Sequence, residues 1–251
     1  MSVLIVALIV VASFVTAFMS SMFGMLGGMT LFAVLANVMP IGAAMVLHGI
    51  LQLTANVYRA WLNRRDIQWA IIGYFAIGGL IGLAILKIID FSPNRIVVLF
   101  GLGIMPYIIV AIPKAWALDA TKKPVAFVAG WLVVLINLLT GVSGPVLDLF
   151  FQKTALTRHQ VVATKAVLSG IGHSAKIIFF GALVSTASLA NWPALELLIL
   201  AMIASMLGTR VGKYALDNMQ DATFFSWTQR ILLTMGALLI ARAIQLMLEG
   251  G

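Results

Sequence analysis

Two sets of polar residues interrupt otherwise apolar stretches of this 251-residue chain. His48, Gln52, Asn56 and Arg59 recur at i, i+4, i+8 and i+11, a spacing that places them on one face of a helix. Lys165, Ser169, His173 and Lys176 repeat that spacing. Ammonium, imidazole, amide and hydroxyl groups together make a positively charged set of hydrogen-bond donors, the chemistry that holds a small anion. Ionisable groups inside apolar segments face protein or water rather than lipid, so each stripe is expected to line a cavity. Lys165 and His173 lead as direct anion contacts, with Ser169 on the same face and His48, Gln52 and Asn56 opposite. Arg59 and Lys176 fall near predicted helix ends, where long side chains reach out to the membrane interface.

The elements that position these residues follow from composition. Of the residues, 62% are hydrophobic and 10% charged, against roughly a quarter charged in soluble domains. Several apolar stretches approach the ~20 residues that cross a bilayer as a helix, and none alternates like a barrel strand. The chain reads as an all-α integral membrane protein of one domain, residues 1–251. The apolar start "MSVLIVALIVVASFVTAF" lacks a basic leader and a clear cleavage site, so it is expected to belong to the mature fold. The net charge of +8 reads as orientation signal in loops rather than as a nucleic-acid footprint. There are no cysteines and the three histidines are dispersed, so no metal site and no cofactor is expected.

Internal repetition divides the chain. A shift of 117 positions places Gly24 on Gly141, Gly27 on Gly144, His48 on Lys165, Gln52 on Ser169, Asn56 on His173 and Arg59 on Lys176. Shifts of 126 and 135 place Gly82 on Gly208 and Gly101 on Gly236. Two repeats result, residues 1–117 and 124–248, each a broken helical hairpin followed by three transmembrane helices. The first reads as 2–37 with its break at "FGMLGG", then 41–62, 67–87 and 95–113. The second reads as 124–155 with its break at "TGVSGP", then 159–182, 194–213 and 229–248.

Loop charge decides what the breaks do. If residues 124–155 cross the membrane once, basic residues divide six inside against seven outside. If they dip in and return, the division is eleven against two: Lys87 and Arg95 outside, and Arg59, Arg64, Arg65, Lys114, Lys122, Lys123, Lys153, Arg158, Arg210, Lys213 and Arg230 inside. The re-entrant reading also inverts the second repeat relative to the first. Glycine permits the tight turn and proline suits the first turn of the following half-helix. Gly24, Gly27 and Gly28 in one hairpin, and Gly141, Ser143 and Gly144 in the other, would then aim two helix N-termini at an anion near the midplane. Asp148, an acid beside the second break, could couple a proton or cation, or be held by Lys153 or Lys165.

The plan, with "LHGILQLTANVYRAWLNRRDIQW" and "ATKAVLSGIGHSAKIIFFG" following the breaks, resembles the sulfite exporter TauE/SafE family of permeases over nearly the whole chain. The breaks read "GMLGG" and "GVSGP" where the family carries a fuller Gly-x-Gly-Gly-Gly. The resemblance implies a secondary transporter, an exporter, of sulfite, sulfoacetate or other organosulfonates in a bacterial plasma membrane. The sequence itself leaves direction, coupling and a homodimeric state open. Two other classes are weighed. An anion channel would share the basic cavity. A rhomboid-like intramembrane serine protease would use Ser143 of the Gly141-x-Ser143-Gly144 motif with His173 as base, but its helix packing beside the serine calls for small residues where "HSAKIIFF" is bulky.

Overall fold

In hydrocarbon a backbone must satisfy its own hydrogen bonds, so apolar segments of this length fold as helices. The computed structural model describes residues 2–23, 26–92, 94–113, 116, 118–183, 192–217 and 221–249. Gly24 and Lys114, both named above, lie outside the described residues. The chain is all-helical, with no strand among the described residues. Its helices are α1 Val3–Phe23, α2 Leu26–Val38, α3 Ile41–Leu62, α4 Trp69–Ile88, α5 Arg95–Ala111, α6 Lys123–Thr140, α7 Gly144–Leu149, α8 Arg158–Ile178, α9 Leu195–Asp217 and α10 Asp221–Leu248. Six are long and apolar enough to cross a membrane, which makes this a multi-pass membrane protein.

Most boundaries fall within a few residues of expectation. The last helix is the exception, starting at Asp221 rather than near 229. α8 ends in a π-helical turn over Phe179–Leu183. Trp61, Trp69, Trp116 and Trp192 are exposed, as interfacial tryptophans should be. Trp131 departs from that expectation: it sits mid-way along α6, half-buried against Gly82 of α4.

Small residues set the closest helix contacts, because without Cβ atoms two backbones approach directly. Gly78 and Gly82 of α4 rest on the carbonyls of Phe127 and Trp131 in α6, and Gly208 and Gly212 of α9 rest on those of Phe14 and Phe18 in α1. The shifts of 126 and 117 carry the Gly82–Trp131 contact onto the Gly208–Phe14 contact. In both pairs the residue numbers rise together, so α4 runs parallel to α6 and α9 to α1. The other two large contacts are antiparallel. Gly49 of α3 lies against His173 of α8 while Gly170 lies against Leu53, and Gly103 of α5 meets Gly236 of α10 while Tyr107 Oη donates to the Leu233 carbonyl at 2.8 Å.

The two breaks differ in form. After the first, α2 has 13 residues; after the second, α7 has only 6. Gly141 ends α6 in the left-handed region, φ +85, where glycine alone avoids strain. The chain entering α6 meets the chain leaving α7: Leu118 N–H donates to the Leu149 carbonyl at 3.2 Å and Ala120 N–H to that of Phe150 at 2.8 Å. The second hairpin thus folds back on its own start.

Candidate functional site

α3 and α8 cross between the two breaks, and their polar faces meet there. His48, one of the most buried residues, sets its Nε2 2.8 Å from the Gly28 carbonyl at the start of α2. A carbonyl can only accept, so Nε2 carries the proton and Nδ1 keeps a lone pair. Lys176 donates to that Nδ1 at 2.6 Å and to the Gly141 carbonyl at 2.7 Å. A continuous polar connection therefore joins one break to the other: Gly28, His48, Lys176, Gly141. Phe32 of α2 closes over it, its ring 5.3 Å from the His48 ring and 5.6 Å below the Lys176 ammonium.

The position of Lys176 corrects the sequence reading. Expected to reach for the interface, it is 0% exposed, because antiparallel α3 brings Gly49 against it and leaves its side chain no route but inward. Both its hydrogen-bond partners are neutral, and among the described residues no carboxylate pairs with it. An ammonium has three donors, and these partners use two.

Lys165, about three helical turns away on α8, is instead ion-paired with Asp148 of α7, and both are partly accessible. Of the two lysines considered as partners for Asp148, Lys165 holds the ion pair. Arg59 reaches Asn56 Oδ1 at 3.4 Å, while Asn56 Nδ2 donates to the Gln52 carbonyl at 2.8 Å, so the Asn56 amide is engaged locally. Gln52 lies beside Gly28, 3.5 Å from where a Cβ would stand. Gly27 serves packing, its Cα turned onto the Thr16 carbonyl of α1. Ser169 is half-buried on α8 and Ser143 is buried at the head of α7, where Gly144 begins the helix. No hydrogen bond joins Ser143 to His173 among the described residues. With six residues, α7 offers a much weaker dipole than the half-helix expected there.

His173 stands one turn before Lys176, its ring 5.7 Å from that of His48, and its Nδ1 is buried without a hydrogen-bond partner. Asn137 of α6, absent from the sequence-derived site, is 1% exposed, and neither atom of its amide has a partner. It faces Gly172 and lies one turn before Gly141. The signal was present in "LINLLTG", a lone amide inside a span. Phe32 gave none, being one more apolar residue in an apolar helix.

Surface cavities occur elsewhere: one of 270 Å³ against residues 62–66 and one of 370 Å³ between α1, α2 and α10. Neither touches this polar cluster. Curated proteins and solved structures give no match to the chain. The family model described as Sulfite exporter TauE/SafE does match, over residues 9–243, and with that coverage the chain belongs to this family of membrane transporters.

Proposed function

We propose that the chain is a secondary transporter that exports small sulfur-containing anions, sulfite, sulfoacetate and other short organosulfonates, across a bacterial plasma membrane. The observation that carries this reading is Lys176: a lysine withdrawn from water, held only by neutral acceptors, with a donor to spare. Burying an ion without a countercharge costs several kcal/mol, so such a site gains by taking in an anion. Its place between the two breaks agrees with a substrate site at a repeat interface.

The helix directions support alternating access by two inverted repeats. Consecutive full spans alternate in direction, and α3 is antiparallel to α8. Because α1 runs parallel to α9 and α6 to α4, α1 must share the direction of α3, and α6 that of α8. Each hairpin then returns to the face it entered, and the second repeat is the first turned over. The eleven-to-two division of basic residues agrees. In this reading Lys176, His48 and His173 receive the anion between the hairpins, with Gly28, Gln52 and Gly141 at its edge and Gly24 in the first break. Lys165 with Asp148, the only acid at a break, forms a second, more accessible layer suited to gating or ion coupling, with Asn56 and Ser169 nearby.

The test is counterflow of labelled sulfite in proteoliposomes. Saturable exchange, lost in Lys176→Ala, supports a carrier with this site. Uptake without counterflow identifies a channel, and no movement of any sulfur anion through sealed, loaded vesicles overturns the substrate class.

A further inference from the structure

The orphan amide of Asn137 narrows the ligand, on the reading that a sulfur anion occupies this site. Asn137 and Gly141 are one turn apart on α6, as His173 and Lys176 are one turn apart on α8. Asn137 faces Gly172, beside His173, while Gly141 accepts from Lys176. Two layers are thus stacked about 5.4 Å apart, the rise of a single turn. The upper layer holds the charge and one unused ammonium donor. The lower layer holds the Asn137 amide and the Nδ1 of His173, both at least nine-tenths buried and both unpartnered.

Buried polar groups are almost always hydrogen-bonded, so these three unpartnered atoms, carried on packed turns of α6 and α8, call for a ligand. The amide nitrogen of Asn137 donates and its oxygen accepts. Because both atoms are unpartnered, the conclusion does not depend on which way the amide is turned. A bare oxyanion offers only acceptors and would leave the carboxamide oxygen unsatisfied. We infer that the site binds a monoanion carrying an O–H group about one helical turn from its charged head: the sulfonate oxygens meet Lys176 and the hydroxyl donates to Asn137, whereas sulfite fills the upper layer alone. Simple alkylsulfonates fit the charge but not the lower layer.

The experiment is competition against labelled sulfite counterflow at one fixed pH, using 2-hydroxyethanesulfonate and 1-propanesulfonate. These probes share size and charge and differ in a hydroxyl against a methyl group. An unsatisfied buried acceptor predicts a preference for the hydroxyl compound of roughly 5- to 150-fold. In Asn137→Leu, where the acceptor is gone, that ratio should fall towards one. Equal competition in the wild type overturns the inference while sulfite exchange leaves the transport reading standing, and so does a preference that survives in Asn137→Leu. If that variant fails to assemble, the wild-type ratio decides alone. Absence of sulfite exchange overturns both readings together.

Discussion

Lys176→Met removes the charge at the centre of the site while keeping the length of the side chain. In the empty protein it strands two buried acceptors, His48 Nδ1 and the Gly141 carbonyl, at about 1–3 kcal/mol each. Against that, the variant no longer buries an ammonium, which itself costs several kcal/mol. The contributions oppose, so stability should change by roughly 2 kcal/mol or less, a few degrees in the unfolding temperature of a chain this long. Binding has no such compensation. An anion left in the site without its countercharge loses about 3–5 kcal/mol, or roughly 150- to 4,000-fold in affinity. Counterflow over a series of sulfite concentrations, with thermal unfolding of the detergent-solubilised protein, measures both quantities. Near-wild-type affinity in Lys176→Met, or a larger loss from Lys165→Ala, would refute the assignment. Sequence alone orders those two lysines the other way, since Lys165 lies deeper in the predicted helix; it is the Asp148 ion pair that occupies Lys165.

Other predictions follow from the same contacts. The chain has no cysteine, so single cysteines report topology directly: Arg65→Cys, Asp119→Cys and Thr154→Cys should label from one face and Asp90→Cys from the other, and labelling of positions 119 and 154 from opposite faces would refute the second hairpin. Gly130→Ala drives a methyl group into the Phe75 carbonyl and should cost about 1–3 kcal/mol in thermal unfolding, whereas Gly73→Ala, with open space around it, should leave stability unchanged or slightly raised. Gly141→Ala meets both the left-handed backbone and the Phe32 ring, so a loss of at least ~1 kcal/mol is expected from backbone strain alone. Asp148→Asn and Lys165→Gln should each impair transport, and the double variant should lose less than the sum of the two, with a coupling of about 0.5–3 kcal/mol in a double-mutant cycle; strict additivity would show that the pair does not act as a unit.

Much of this architecture was legible in the residues because the bilayer leaves few alternatives. Apolar length gave the helices, and the glycine-rich stretches gave the ends of α1 and α6. The glycine breaks and the repeated polar spacing pointed to α3 and α8. The shift that pairs Gly82 with Gly208 reappears as two equivalent backbone contacts on different helices.

The choice among polar residues was not legible. Helical periodicity assigns a residue to a face and a depth along its own helix, but not to a partner on another. Lys176 looks peripheral by its place in α8, and only the antiparallel crossing with α3 and the adjacent end of α6 at Gly141 bury it. Asn137 carries a visible signal but no repeat partner, so the internal symmetry that drew attention to His48 and His173 passed over it. Sequence by itself therefore determined that this is an all-helical, multi-pass membrane protein of a transporter family, with glycine-rich breaks ahead of its two polar helices. Tertiary structure alone decided which cation is withdrawn from water without a countercharge and which amide lies beside it, because burial and hydrogen-bond partnership are set by neighbours distant in the chain.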